Sequence, residues 1–243
     1  MRYRKIITSE QVRKEYMDYT RGKRIVFVGP GSIMKGRKLG TWIDSFDIVI
    51  RTNHLPVVMS EDKKLAEDIG NRTDILYMNG HYYKHMIPLP FDLYKKIKLQ
   101  WLCMKRCSQA EYTNAKKFCK VRLFKRSERY MCRAIEMPLT GIIVAHDILK
   151  NDPAELCYTG IDFYRDAKTK IVNGANKALY EAYISSNYIP KKIKEHNIEL
   201  NFREGKGHNL DENSKFLKNL YEGKKITMPD FLAERMYEIA DEG

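Results

Sequence analysis

Four short segments carry residue types suited to binding a phosphorylated ligand and to moving a proton. The first is VGPGS, residues 28–32, which follows the apolar run RIVFV. Glycines in a strand-to-helix turn let the backbone approach a ligand closely, and exposed amides there attract phosphate. The segment lacks the spacing of a dinucleotide site and the Gly-Lys-Ser/Thr of a P-loop, so a plain tight turn is an equally good interpretation. The candidate residues are Gly29, Pro30, Gly31 and Ser32.

The second segment, FDIVIRTN at residues 46–53, has the pattern of a buried strand and ends in Asn53. Ligands of open α/β sheets bind at the carboxyl ends of the strands. An Asn side chain at that edge offers both a donor and an acceptor to a base or a ribose. An ordinary Asx turn before Pro56 explains the same residues equally well.

The third segment joins PLTGIIVAHDIL, residues 138–149, to CYTGIDFY, residues 157–164. Thr140 and Gly141 open a predicted helix whose free amides can receive an anion. The strand that follows delivers four candidate residues, Tyr158, Gly160, Asp162 and Tyr164. The two tyrosine hydroxyls can hydrogen-bond a departing phosphate, although half-buried aromatic residues are the simpler interpretation.

The fourth segment, GKGHNLDEN at residues 205–213, places His208 in a glycine-flanked loop just before a helix. A histidine with a pKa near neutrality can take a proton from a sugar hydroxyl as that hydroxyl attacks. A solvent-facing loop histidine is the alternative. His146, on an apolar helix, fits a satisfied core histidine, and His81 and His85 lack the glutamate of an HExxH motif. No metal site is predicted.

The elements that must position these segments alternate between apolar β-branched runs and amphipathic stretches. Near-continuous apolar runs are typical of buried parallel strands, and the stretches between them have helical spacing. The predicted strands cover residues 24–29, 46–51, 74–79, 98–104, 120–124 and 155–160. The predicted helices cover residues 60–70, 108–118, 140–150, 176–196, 211–223 and 229–242. This order predicts a doubly wound, Rossmann-like α/β fold with a mostly parallel sheet, flanking helices and a helical C-terminal part.

No internal repeat or linker divides the sequence, so we expect one domain over residues 1–243. Within it we expect a basic N-terminal helix or arm at 1–22 and a C-terminal helix at 224–243.

Composition limits the functional classes. The 243 residues include 44 Lys and Arg against 31 Asp and Glu, and the net charge of +13 indicates an anionic partner. No recognised nucleic-acid motif accompanies this charge, so nucleic acid is not expected. No apolar stretch reaches the roughly 20 residues of a membrane-spanning helix. Five cysteines, an odd count, suit a reducing compartment. We therefore expect a cytoplasmic protein that is not secreted and whose only membrane contact is peripheral, through its basic surface.

Taken in order, the four segments resemble the motifs of CMP-sugar-dependent sialyltransferases. VGPGS, IDSFDIVIRTNHLP and GNRTDILYMN are together similar to the long motif of the eukaryotic type, glycosyltransferase family 29. PLTGIIVAHDIL with YTGIDFY resembles the short motif of that family and the matching segments of the bacterial type, family 42. GHNLDEN is similar to the segment that supplies the general base in the bacterial type. The resemblance implies the GT-A-like variant of the Rossmann-like fold that sialyltransferases have.

The resemblance also implies a role for each candidate residue. The residues that it implies as contacts of the CMP part of the donor are Gly29, Pro30, Gly31, Ser32, Asn53, Asn79, Thr140, Gly141, Gly160 and Asp162. Tyr164, and secondarily Tyr158, would hold the leaving phosphate, and His208 would be the general base. The implied reaction is inverting transfer of sialic acid, or of a related 2-keto sugar acid such as Kdo, to a glycan hydroxyl. It needs neither a metal nor another cofactor, and the positive net charge would suit an acidic or membrane-linked glycan acceptor.

The sequence departs from these families at three places. Pro30 stands where family members have Asn, which removes one expected nucleotide contact. Ile25 and Pro153 occupy the places of the two cysteines that pair in the animal enzymes, so that disulfide cannot form. Cys157 aligns with the tyrosine that precedes SGIDFY in the bacterial type, which leaves Tyr158 one residue away from it.

Two other functional classes stay open from the residues alone. One is a different nucleotide-binding enzyme, such as a methyltransferase or an oxidoreductase, which S-adenosylmethionine or NAD would stabilise. The other is a basic module for RNA or acidic membranes, whose salt-dependent binding would survive the loss of His208.

Overall fold

Six parallel β-strands form one central sheet. The computed structural model describes residues 9–53, 55–78, 90–104, 107–123, 135, 138–161, 163 and 210–241. Its strands are β1 (Arg24–Val28), β2 (Ile48–Thr52), β3 (Ile75–Met78), β4 (Trp101–Met104), β5 (Lys120–Leu123) and β6 (Glu155–Thr159). They pair in the order β5-β4-β3-β2-β1-β6. Each strand falls on a run that the sequence predicted, with ends shifted by at most three residues.

Helices connect and cover these strands. The described helices are α1 (Glu10–Thr20), α2 (Gly40–Asp44), α3 (Leu55–Glu61), α4 (Leu65–Ile69), α5 (Phe91–Lys96), α6 (Gln109–Ala115), α7 (Thr140–Leu149), α8 (Leu210–Glu222) and α9 (Asp230–Asp241). The helix predicted at 176–196 lies outside the described residues. The prediction of one helix over 60–70 was wrong, because the chain forms α3 and α4 instead. Between them, Asp62 Oδ1 accepts a hydrogen bond from the backbone N–H of Lys64 and turns the chain.

Alternate residues of β1 point to opposite faces of the sheet. Ile25 and Phe27 belong to a buried cluster with residues of α1, α7, α8 and α9. Val26 and Val28 pack with residues of α2, α3 and α4 on the other face. On that same face, a third cluster joins β3, β4 and β5 to α5 and α6. The sheet is therefore a central layer between two helical layers, as the doubly wound prediction requires.

The order of the strands reverses at β1. The chain adds β2 to β5 on one side of β1 and then returns to place β6 on the other side. At such a switch point the loops that leave two neighbouring strands turn away from each other, and ligands bind in the crevice between them. The candidate segments that follow β1 and β6 therefore meet at one edge of the sheet.

The segment before α9 pairs with the outer edge of β6. Tyr158 N–H donates to Thr227 O at 2.8 Å, and Thr227 N–H donates to Leu156 O at 2.9 Å. This single bridge fastens the C-terminal helices to the strand that leads into the switch point. The assignment of one domain to the whole chain stays a prediction.

Candidate functional site

Gly29 and Gly160 meet at the switch point with their backbones in direct contact. A Cβ on Gly29 would lie 2.2 Å from Gly160 O, and a Cβ on Gly160 would lie 2.4 Å from Gly29 O. Gly160 also has a φ of +67°, which side chains disfavour. Two backbone hydrogen bonds of 2.8 Å join the loops, from Gly29 N–H to Thr159 O and from Gly31 N–H to Gly160 O. Packing of the turn itself therefore requires glycine at both positions.

Ser32 is the candidate in VGPGS that keeps its donors available. The amides of Gly29 and Gly31 already bond β6 and its loop, and Pro30 has no N–H. Within the described part of the chain, neither the N–H nor the hydroxyl of Ser32 has a hydrogen-bond partner, and the residue is half-buried. A polar ligand group at this turn would therefore bind Ser32 and not the glycine amides.

The start of α7 packs against the same turn. A Cβ on Gly141 would lie 2.7 Å from Ile161 Cδ1, and a Cβ on Gly29 would lie 3.1 Å from Ile161 Cγ1. The Ile161 side chain thus lies between the two glycines. Leu139 precedes the helix, and no side chain among the described residues caps its first turn. The first-turn amides, beginning at Thr140, are therefore available to an anion.

Tyr158 supports α7 from inside the protein. Its side chain is fully buried, its hydroxyl donates to Gly141 O at 2.8 Å, and its ring stacks on Phe27 with the centroids 4.8 Å apart. Burial raises the pKa of this hydroxyl well above its usual range. The family resemblance implied that Tyr158 holds a leaving phosphate. In the structure this hydroxyl bonds Gly141 O in the core, which fits support of α7, and a role in holding phosphate stays a prediction.

Asn53 lies at the carboxyl end of β2, the strand beside β1. Its φ of +53° falls in the left-handed region that Asn tolerates. Its backbone N–H donates to Tyr77 O on β3 at 2.9 Å, which fixes this conformation. The structure thus brings Asn53 to the edge of the sheet that holds Gly29 and Gly160, as the sequence predicted.

Four candidate residues lie outside the described residues: Asn79, Asp162, Tyr164 and His208. Some of their neighbours are placed. Phe163 is buried in the core cluster, and α8 begins two residues after His208. On α8, Asn213 Oδ1 accepts a hydrogen bond of 2.8 Å from Leu139 N–H. Helix α8, which begins two residues after His208 in the sequence, is therefore bonded to the start of α7 by a residue that sequence reasoning did not select.

His146 is half-buried on α7. Its buried Nε2 has no hydrogen-bond partner in the part of the chain that the structure describes, and burial lowers the pKa of the ring. The prediction of a satisfied core histidine was therefore wrong for this nitrogen. His81 and His85 lie outside the described ranges.

Three kinds of feature are absent from the described residues. No three His, Cys, Asp or Glu side chains there cluster as metal ligands. The four cysteines placed there, Cys103, Cys107, Cys119 and Cys157, are unpaired. No helix within the same ranges combines the length and hydropathy needed to cross a membrane.

Comparison with known proteins agrees with the motif order. Residues 3–119 match glycosyltransferase family 29 (sialyltransferase). The chain is 32% identical over 87 residues to the type 2 lactosamine alpha-2,3-sialyltransferase of Mus musculus, covering 33% of this chain and 25% of that protein. It is 36% identical over 69 residues to the human CMP-N-acetylneuraminate-beta-1,4-galactoside alpha-2,3-sialyltransferase. That match covers 26% of this chain and 17% of that protein. The matched part thus spans a quarter or less of these relatives.

A solved structure shows the same fold. The crystal structure of a mammalian sialyltransferase is similar with a TM-score of 0.51 and 15% identity, covering 93% of this chain and 80% of that one. This likeness confirms the predicted Rossmann-like α/β architecture.

The expectation of a cytoplasmic protein was wrong, because sialyltransferases of family 29 are lumenal enzymes of the Golgi. The odd cysteine count is therefore a poor guide to the compartment. The resemblance to bacterial family 42 stays a prediction. Residues 3–119, just under half of the chain, are thus similar to glycosyltransferase family 29, the sialyltransferases.

Proposed function

We propose that this chain transfers sialic acid from a CMP donor to a hydroxyl of a galactose-containing glycan, with inversion at the anomeric carbon and without a metal. The observation that carries the proposal is the convergence of Gly29, Gly160 and the uncapped start of α7 at one switch point. The match of residues 3–119 to the sialyltransferase family supports the reaction class. The name of the human relative contains CMP-N-acetylneuraminate, which supports the proposed donor. The names of both relatives contain a lactosamine or a galactoside, which supports the proposed acceptor.

The donor's phosphate would lie at the first turn of α7. Helix N-terminal amides and the positive end of the helix dipole both favour an anion. CMP leaves with a single phosphate, whose charge these amides and the Tyr164 hydroxyl would stabilise. A divalent cation would then have no diphosphate to bridge, so the reaction would proceed without one. Ser32 and Asn53 would bind the nucleoside part from the ends of β1 and β2.

His208 would be the general base. It would take the proton of the acceptor hydroxyl while that oxygen bonds the anomeric carbon and the bond from this carbon to the CMP phosphate oxygen breaks. The placement of α8 supports this role, because the bond from Leu139 N–H to Asn213 holds the start of α8 beside the start of α7. In the sequence, His208 lies two residues before the start of α8.

Release of CMP tests the proposal and distinguishes the two candidate sugars. The unmodified chain, His208→Ala and the control His146→Ala would each receive CMP-Neu5Ac or CMP-Kdo together with N-acetyllactosamine, in parallel assays with and without EDTA. We expect release from CMP-Neu5Ac, a loss of about 100-fold or more in His208→Ala, and little change in His146→Ala. Release of CMP from CMP-Kdo alone would show that the transferred sugar is Kdo and not sialic acid. Release from neither donor, or unchanged activity of His208→Ala, would overturn the proposed reaction or its base. Loss of activity in EDTA would overturn metal independence.

A further inference from the structure

A buried polar network joins α1, β3 and β5 to α7. The Tyr77 hydroxyl donates to Asp147 Oδ2 at 2.6 Å and lies 2.6 Å from the Tyr16 hydroxyl. The Arg122 guanidinium donates to both oxygens of Asp147, with a distance of 2.7 Å to Oδ1. None of these four residues is more than 9% exposed. The network therefore lies in the core, beneath the candidate site.

Asp147 fixes how α7 lies on the sheet. A buried carboxylate is costly unless it is paired and hydrogen-bonded, and here Arg122 and Tyr77 supply three hydrogen bonds to it. Rotation or sliding of α7 would break these three bonds, which is costly for two buried charges. The helix is therefore held in one position relative to β3 and β5.

Tyr77 also holds the other side of the candidate site. Its backbone oxygen accepts the 2.9 Å hydrogen bond from the N–H of Asn53, whose left-handed conformation needs such support. Its side chain bonds Asp147 on the helix that begins at Thr140. One residue thus contacts both Asn53 and the helix that would receive the phosphate.

We infer that Tyr77 is a positioning residue for the CMP donor, which holds Asn53 and the start of α7 at a fixed separation. The inference rests on the proposed function. Tyr77 is fully buried, so we expect it to act through Asn53 and Asp147 and not by contact with the donor. Without its hydroxyl, α7 loses its bond to β3 while Arg122 still neutralises Asp147. The donor site should then loosen in a chain that still folds.

Tyr77→Phe tests this role, with Tyr16→Phe as the matched control. The single proton of the Tyr77 hydroxyl goes to the carboxylate, so Tyr16 is the donor in the tyrosine pair. Tyr16→Phe therefore removes a buried hydrogen bond of the same network but keeps the bond to Asp147. We expect Tyr77→Phe to raise the KM for CMP-Neu5Ac and the Kd of CMP by about five- to tenfold. Tyr16→Phe should change both by less than about twofold.

A merely structural role would lower the Tm and the folded fraction in both variants and leave KM unchanged. Unchanged KM in Tyr77→Phe, or an equal rise in Tyr16→Phe, would overturn the inference alone. If Tyr77→Phe does not fold, amide hydrogen exchange of the unmodified chain, with and without CMP, is the alternative test. CMP should then protect the amides of Asn53 and of the first turn of α7 together, and protection of only one would overturn the inference. Absence of CMP binding would overturn the proposed function and this inference with it.

Discussion

The side-chain oxygen of Asn213 accepts a hydrogen bond of 2.8 Å from the backbone N–H of Leu139, 74 residues earlier in the chain. Asn213 is fully buried, and Leu139 is the residue that precedes α7. This contact holds α8 against the residue that precedes α7, whose first turn is the proposed phosphate site. One polar side chain therefore supports the proposed site from a distant part of the chain.

Asn213→Ala should destabilise the chain and weaken donor binding. The Leu139 amide would lose its partner in the core, which costs about 1–3 kcal/mol. For a chain of this size, about 2 kcal/mol lowers the Tm by roughly 4–8 °C in thermal unfolding. Asn219→Ala is the control, because Asn219 is exposed on the same helix. Equal Tm values for the two variants would show that the bond to Leu139 contributes nothing.

Gly160→Ala should cost far more stability than Gly22→Ala. Both glycines have a positive φ, +67° and +64°, so both variants carry the same backbone strain of about 1–2 kcal/mol. A Cβ on Gly22 meets no atom within 4 Å, whereas a Cβ on Gly160 meets Gly29 O at 2.4 Å. Overpacking adds about 1–3 kcal/mol in Gly160→Ala, and CMP binding should be lost with it. Urea unfolding measures the difference, and equal costs would contradict the backbone contact at the switch point.

Ser32→Ala should weaken CMP binding without changing the Tm. Ser32 is half-buried, and its hydroxyl has no partner among the described residues, so its loss costs the free chain little. A lost hydrogen bond to the ligand should raise the Kd of CMP by about three- to tenfold, as measured by calorimetry. Ser45→Ala, in which an exposed hydroxyl bonded to Trp42 O is removed, is the control. An unchanged Kd of CMP in Ser32→Ala would show that Ser32 does not bind CMP.

Stability should fall as the pH rises above about 8.5, the ordinary pKa of a thiol. Burial raises the pKa of Cys103 and of Cys157 to about 12 each. Between these values the unfolded chain loses thiol protons that the folded chain keeps, so each thiol lowers stability by up to about 1.4 kcal/mol per pH unit. Urea unfolding under reducing conditions at pH 7.5 and 9.5 measures the loss. Cys103→Ala should show a smaller loss, and an identical pH dependence would contradict the assignment to this thiol.

The strands and their carboxyl ends were predictable from sequence. Buried parallel strands need apolar residues on both faces, which gives near-continuous runs such as RIVFV at β1. Parallel strands also place their carboxyl ends at one edge, so the segments holding Gly29, Asn53 and Gly160 were expected to meet there. The structure brings all three to that edge.

Contacts between distant residues could not be predicted in this way. Asp147 and Arg122 belong to residue types that are usually exposed. Here Asp147 is buried and accepts a hydrogen bond from Tyr77, which lies 70 residues earlier in the chain. The signal that sequence reasoning passed over is a lone acid in the apolar helix TGIIVAHDIL. Tyr158 is a related case, because its bond to Gly141 O, 17 residues earlier in the chain, also depends on packing that the pattern of a strand does not reveal.

Calorimetric titration of the unmodified chain with CMP, without added metal, tests the central claim most directly. UMP and AMP serve as the matched nucleotides in parallel titrations. The account predicts saturable binding of CMP at one site, weaker or no binding of UMP and AMP, and loss of CMP binding in Gly160→Ala. Absence of CMP binding, or binding that Gly160→Ala leaves unchanged, would contradict a donor site at the junction of β1 and β6.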